Sequence, residues 1–157
     1  MRRSILPSLH VAVPRHAASI AVLLATCVGA STAVAQDAAF ERRARELADE
    51  VVLFDPGDAV VEDEQASVVI DHVQLAQDFA GDRLKLEGRR DASEDSPPQR
   101  DLGLRRARDV LRHLVQMGLD PRRIDIVDLG ATAPRVHCDE APCRAKNRSV
   151  VITHALK

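Results

Sequence analysis

Short strand-like runs alternate with helical patterns from residue 51 to the end of the chain. Residues 51–54, VVLF, form a β-branched and aromatic run closed by residues 55–57, DPG, which predicts a strand followed by a turn. From residue 62 to residue 80, apolar side chains recur at spacings of three and four, the pattern of an amphipathic helix. At residues 84–87, leucines alternate with charged residues, which predicts a strand with one buried face.

The second half of the chain repeats this alternation. Residues 96–99, SPPQ, predict a helix start with serine as N-cap and glutamine closing a capping box, and the helix should end at Gly118. Residues 124–127 and 150–153 predict two further strands, separated by a loop or a helix. The order β-α-β-α-β-β predicts an α+β fold, a two-layer sandwich in which a mixed four-stranded sheet carries both helices on one face.

The composition suits one small globular core. The 157 residues are 45% hydrophobic and 29% charged, with three Phe and no Tyr or Trp. Few side chains could therefore stack on bases or sugars, which argues against a lectin or a single-strand nucleic-acid binder. We expect no transmembrane barrel.

Residues 1–35 have the pattern of a secretory signal peptide. Three arginines precede an apolar run at residues 17–30, and residues 33–35, AVA, form a small-x-small cleavage site. The run falls short of the roughly 20 strongly apolar residues of a spanning helix, so we expect cleavage after Ala35 rather than anchoring. Residues 36–50 are charged and helix-prone, and we expect a linker or short leading helix before a domain at 51–157.

The expected mature protein is acidic. Without residues 1–35, which hold three Arg and no acid, 19 basic residues face 24 acidic ones, a net charge of about −5. A nucleic-acid-binding domain would need a basic face, so we expect no nucleic-acid partner.

A second processing route stays open at residues 24–27, LATC, which resemble the site at which bacterial lipoproteins are cut and lipidated. Thr26 departs from the small residue that usually precedes the cysteine. A lipid on Cys27 would be the anchor of the protein, in the outer membrane. Both routes export the protein from the cytoplasm.

Two motifs in the centre of the chain contain one acid and one base. Residues 88–91 are GRRD and residues 99–107 are QRDLGLRRA, which places Arg106 15 residues after Asp91. Members of the OmpA-like C-terminal domain family, which includes peptidoglycan-associated lipoproteins and stator proteins of the MotB type, carry G-H-T-D and N-x-x-L-S-x-x-R-A at this spacing. The chain resembles that family from about residue 51 to residue 152.

Later segments agree with the same family in order and distance. They are residues 114–119, 123–124, 129–134 and 147–150. The family's motif residues are replaced at Arg89, Arg90, Gln99, Gly103, Asp128, Ala131 and Ser149. We expect Arg89 and Arg90 to be solvated loop residues.

The resemblance implies non-covalent binding of peptidoglycan in the periplasm, through the meso-diaminopimelate of the stem peptide. The free end of that residue carries an ammonium and a carboxylate on one carbon. Asp91 would accept the ammonium, and Arg106 would pair with the carboxylate in a forked geometry. The other candidate ligand-binding residues are Gln99, Leu102, Asn147 and Arg148. No cofactor is expected.

The replaced motif positions support an alternative function in a different class. The same fold with a degenerate pocket would be an adaptor that binds an envelope protein instead of the cell wall. Gln99 keeps the amide of the family's asparagine but moves it by one methylene, which would weaken a ligand contact.

An enzymatic function is not indicated. Asp91, Glu94 and Asp95 could be a carboxylate cluster for glycoside hydrolysis, but they lie on one loop, where like charges usually mean a solvated surface. Glycosidases need two acids on opposite sides of a cleft, and no second acid is indicated.

Two cysteines near the last strand allow two chemistries. Cys138 and Cys143 are accompanied by His137, Asp139 and Glu140, which could be metal ligands. The C-x4-C spacing is too loose to signal zinc by itself, and the expected compartment is oxidising. A Cys138–Cys143 disulfide, which some members of the resembled family contain, is favoured over a metal site.

Overall fold

A computed structural model describes residues 17–137 and 139–156, with side chains described from residue 32 onward. The chain divides into two compact units, Met1–Gln36 and Asp37–Lys157. Among the described helices, none is long and apolar enough to cross a membrane. Residues 1–16 of the predicted signal peptide lie outside the described part, so cleavage stays a prediction.

Helices and strands alternate along the described residues. They are α1 (Ala17–Leu47), β1 (Val51–Leu53), α2 (Ala66–Asp78), β2 (Asp82–Arg89), α3 (Leu102–Gln116), β3 (Ile124–Gly130), α4 (Ala141–Asn147) and β4 (Ser149–Leu156). The predicted order of strands and main helices is confirmed. The segment between the last two strands, predicted as a loop or a helix, forms the short helix α4.

The four strands form one mixed sheet in the order β1-β4-β2-β3. Strand β2 pairs parallel with β3 and antiparallel with β4, so that Leu86 lies opposite Ile126 on one side and Ile152 on the other. Strand β1 pairs antiparallel with β4 at the edge of the sheet. The parallel β2–β3 pair requires a crossover, which α3 supplies.

One hydrophobic core lies between the sheet and helices α2 and α3. Leu84 and Leu86 of β2 point to the same side because side chains alternate along a strand, and both are buried against Val73 of α2 and Val110 of α3. Both main helices therefore cover the same face of the sheet, which confirms the predicted two-layer α+β sandwich.

The two ends of α3 differ in how well the sequence predicted them. Gly118 has a φ of +96°, and the amide of Leu119 donates to the carbonyl of Leu114 over 3.1 Å, which confirms the glycine C-terminus. The predicted capping box is wrong. Residues 97–99 form a separate 3-10 turn, and the Ser96 hydroxyl donates to Oε1 of Gln99 over 2.7 Å instead of capping α3.

The last part of α1 is anchored to the domain by one aromatic side chain. Phe40 is 2% exposed and packs edge-to-face against Phe79, with ring centroids 5.3 Å apart. Arg43 forms an ion pair with Asp78 beside them. Residues 36–50, predicted as a linker or short leading helix, thus contribute a buried side chain at Phe40.

Strand β2 and helix α3 approach each other closely at a pair of glycines. A Cβ atom on Gly88 would lie 2.0 Å from the carbonyl oxygen of Gly103, and one on Gly103 would lie 2.9 Å from the carbonyl oxygen of Gly88. This contact places the loop that follows β2 against the first turn of α3, where the candidate site is found.

A buried polar chain joins β2, β4 and α2 to the backbone of Glu50, at the opposite end of β2 from that loop. Oδ2 of Asp82 lies 2.6 Å from Nδ1 of His154, whose Nε2 lies 2.8 Å from Nδ1 of His72, and Nε2 of His72 lies 3.2 Å from the carbonyl oxygen of Glu50. Burial, together with the neighbouring His154, lowers the pKa of His72 from 6.5 to about 4. His72 is therefore a neutral core residue at neutral pH.

Candidate ligand-binding site

Arg106 lies entirely inside the protein. Its guanidinium donates from Nε to the carbonyl of Asp58 (2.7 Å), from Nη1 to the carbonyl of Arg89 (3.1 Å) and from Nη2 to the carbonyl of Asp55 (3.1 Å). Nη1 and Nη2 also donate to Glu94 over 2.9 and 2.7 Å. These five bonds use all five N–H groups of an arginine, and the residue is 0% exposed.

The forked side of Arg106 is therefore occupied by a carboxylate of the chain itself. Glu94 is 2% exposed, and besides the arginine its two oxygens accept the backbone amides of Gly57 (2.9 Å) and Asp91 (3.0 Å). In this arrangement Arg106 has no free N–H group that could donate to a ligand carboxylate, as the predicted pairing would require.

The buried position of Glu94 differs from the prediction. Asp91, Glu94 and Asp95 are predicted to be solvated loop acids, and of the three only Asp95 is exposed. No periodicity could reveal this, because Glu94 bonds to Arg106 across a fold-back of the loop between β2 and α3.

Asp91 lies at the start of the same loop and is 1% exposed. Its Oδ1 accepts the amide and the hydroxyl of Ser93 (2.7 and 2.6 Å), and Oδ2 accepts Nη1 of Arg148 over 3.1 Å. Burial opposes ionisation, but the hydrogen bonds from Ser93 and the charge of Arg148 outweigh it and lower the pKa of Asp91. Asp91 is therefore ionised at neutral pH.

The remaining predicted site residues have supporting positions. Nε of Arg148 donates to the carbonyl of Phe54 (3.0 Å), which fixes its reach to Asp91. Asn147 is bound to both backbone groups of Val136 (3.0 and 2.9 Å) and so holds the loop before α4. Gln99 is half-buried beside the first turn of α3, and Leu102 is fully buried there.

An open cavity of about 610 Å³ borders Asp91. It lies between the loop after β2 and the segment from residue 131 to α4. Its lining contains Asp91 but neither Arg106 nor Glu94. The other lining residues are Arg90, Ala92, Ser93, Ala131, Pro134, Val136, His137, Asp139, Arg144 and Asn147.

The expectation that Arg89 and Arg90 are solvated is wrong. Both side chains are only 11% exposed. Arg89 donates to Glu87 and to the carbonyl of Ala133, whereas Arg90 donates to the carbonyl of Glu94 and to Asp95. The two arginines thus hold the loop that carries Asp91.

The metal alternative finds no support among the residues that the structure describes, where no group of three His, Cys, Asp or Glu side chains suits a metal ion. Cys138 lies outside the described residues. The Cys138–Cys143 bridge therefore stays a prediction.

Comparison with known sequences and structures now identifies the fold. The profile of the OmpA family matches residues 53–148, which is well over half of the chain. The chain belongs to the OmpA family. No curated protein sequence shows a significant match. Proteins of this family are structural binding proteins of the cell envelope, and the chain is not an enzyme.

Several solved OmpA-family structures resemble the chain. The peptidoglycan-associated lipoprotein of Burkholderia pseudomallei is 24% identical with a TM-score of 0.63, and the match covers 67% of this chain and 89% of that one. The C-terminal domain of Helicobacter pylori MotB is 20% identical with a TM-score of 0.61, and the match covers 68% of this chain and 84% of that one. The cell wall anchor of the type VI secretion system of Pseudomonas aeruginosa is 25% identical with a TM-score of 0.58, and the match covers 69% of this chain and 77% of that one.

Asp128, one of the positions that depart from the family motifs, closes the space beside Gly103. A Cβ atom on Gly103 would lie 2.6 Å from Oδ1 of Asp128, which accepts the amide of Gly130 over 3.0 Å, and 2.9 Å from the carbonyl oxygen of Gly88.

Proposed function

We propose that residues 51–157 bind peptidoglycan non-covalently in the periplasm, with the stem-peptide meso-diaminopimelate as the group recognised. The observation that carries this proposal is Asp91, an ionised carboxylate at the wall of an open cavity of about 610 Å³. Its oxygens accept three hydrogen bonds, and a carboxylate has about four acceptor sites. One site is left for the ammonium of the ligand.

The relatives support this ligand class. One is called a peptidoglycan-associated lipoprotein and another a cell wall anchor. In the present chain, Arg148 would keep Asp91 ionised and oriented, and Asn147 would hold the opposite wall. Gln99 and Leu102 would shape the start of α3, while Arg106 would hold the loop on which Asp91 lies.

The adaptor function remains the second candidate, and one observation favours it. Every N–H group of Arg106 is used inside the protein, so the acid and base of the family motif are not both available to a ligand. An adaptor would bind an envelope protein and would not bind the cell wall.

Co-sedimentation with purified sacculi separates the two candidates. The wild-type domain should sediment with sacculi, and Asp91→Asn should bind roughly 10-fold or more weakly, because it loses a hydrogen bond to a charged group. Asp95→Asn is the matched control, since it removes an exposed acid of the same loop. A wild-type protein that stays in the supernatant would favour the adaptor.

The export and disulfide predictions belong to the same proposal. The intact mass of the exported protein, taken after alkylation without reduction, measures both. Cleavage after Ala35 with no alkylated thiol is expected. A lipid-modified N-terminus at Cys27 would indicate an outer-membrane lipoprotein, and two alkylated thiols would contradict the Cys138–Cys143 bridge.

A further inference from the structure

We infer that Glu94 is a specificity-determining residue, which fills the carboxylate receptor of Arg106 and leaves the domain to recognise the ammonium of the stem peptide alone. The inference rests on the proposed function. It gives the cavity a ligand preference that differs from the one expected from the motif pair of Asp91 and Arg106.

The receptor is complete with Glu94 in it. The carboxylate accepts four hydrogen bonds, two from Arg106 and one each from the amides of Gly57 and Asp91. A ligand carboxylate could at best replace these four bonds. It would have to displace a group that is covalently held next to its donors, and such a group competes at a high effective concentration. Exchange is therefore unfavourable.

The path to the receptor is closed as well. Arg106, Glu94 and Asp91 are all almost fully buried, and of the three only Asp91 lines the cavity. The loop that covers them is fixed by Arg90, which donates to the carbonyl of Glu94 over 3.0 Å. A stem peptide in the cavity would reach Asp91 without meeting the fork of Arg106.

The filled receptor affects which type of peptidoglycan the domain can distinguish. Lysine and meso-diaminopimelate both end in an ammonium, and only the second carries a carboxylate on the same carbon. With the receptor filled, that carboxylate contributes no contact to Arg106. The wild-type domain should therefore bind sacculi of the lysine type and of the diaminopimelate type within about twofold of each other.

The first experiment compares the two types of sacculi by co-sedimentation of the full domain. Equal binding supports the inference. A preference of about tenfold or more for diaminopimelate sacculi would overturn it, although the proposed function would stand. Failure to bind either type would instead count against the proposed function, and the second experiment would still test the receptor.

The second experiment empties the receptor and refills it with a small carboxylate. Glu94→Ala should have a lower melting temperature than wild type, and formate at about ten times its dissociation constant should raise it by on the order of 5 °C. Sodium chloride and formamide at the same concentration are the controls for ionic strength and shape. Wild type and Glu94→Gln, whose side chains fill the space, should not respond.

Recovery of folded Glu94→Ala only in the presence of formate would support the inference in the same way as a rise in melting temperature. Folded Glu94→Ala that does not respond to formate would overturn the inference. Should Glu94→Ala fold in no buffer, Glu94→Asp takes its place, because its shorter carboxylate leaves the fork partly empty. If Glu94→Asp has the same melting temperature as wild type in sodium chloride, the idea that Glu94 fits the receptor closely would be contradicted.

Discussion

Replacing Arg106 with methionine tests whether this residue holds the fold together. Methionine keeps much of the aliphatic volume and removes all five hydrogen bonds. Three backbone carbonyls lose a hydrogen bond, of which that of Asp55 still accepts the amide of Asp58, and the carboxylate of Glu94 loses its buried cation. The substitution therefore separates a structural arginine from one that serves only a ligand.

The expected cost follows from these contacts. Breaking a buried ion pair by removing one partner costs about 3–5 kcal/mol, and each unsatisfied buried acceptor adds about 1 kcal/mol or more. Water can reach some of the freed carbonyls, so we expect a loss of about 4–6 kcal/mol. That is a large part of the roughly 5–15 kcal/mol that stabilises an ordinary domain.

Urea unfolding followed by far-UV circular dichroism measures the loss, since the chain has no Trp or Tyr for fluorescence. Arg105→Met is the matched control, because the neighbouring Arg105 side chain is exposed and bonds to Asp101 and to the carbonyl of Pro98 on the surface. Adding Glu94→Gln to Arg106→Met should cost less than the sum of the two single losses. An Arg106→Met domain as stable as Arg105→Met would refute the reasoning.

Two further perturbations act elsewhere in the domain. Because the pKa of His72 falls from 6.5 to about 4, the residue contributes little pH dependence well above pH 6.5, where it is neutral in both states. Between pH 6.5 and pH 4 the unfolded chain binds a proton that folded His72 does not, so stability should fall by about 3 kcal/mol by pH 4. Urea titrations at several pH values should show this decrease in the free energy of unfolding, and the decrease should be much smaller in His72→Gln. Gly88→Ala should cost about 3 kcal/mol, since its Cβ would lie 2.0 Å from the carbonyl oxygen of Gly103. The melting temperature of Gly88→Ala should lie well below that of Gly118→Ala. A Cβ atom on Gly118 would contact nothing within 4 Å, so that substitution is disfavoured only by the φ of +96°. Equal melting temperatures would contradict the close contact.

The sequence predicted most of the fold because its signals are local. The alternation at Leu84 and Leu86 and the glycine at position 118 each act within a few residues, and the structure confirms both. The capping box at Ser96 failed for a local reason too, since two prolines favour a separate turn before α3 begins.

The candidate site was only partly predictable because its contacts join distant segments. The motif identified Asp91 and Arg106, but not that Glu94 would fold back onto the arginine. The chain of Asp82, His72 and His154 was likewise not anticipated, since its members come from three separate elements. Replacements such as Arg89 were assigned to solvent, because a charged loop residue usually lies there.

The guanidinium of Arg106 also determines how the site opens. It bonds to segments 12, 17, 48 and 51 residues away along the chain, so none of them can come loose without breaking its bonds. Small local openings of a loop normally let its amides exchange with solvent well before the domain unfolds. Here we expect the amides of Gly57 and Asp91, which donate to the carboxylate on that guanidinium, to exchange only when the whole domain unfolds. The loop that carries Asp91 and the hydrophobic core would then unfold as a single cooperative unit.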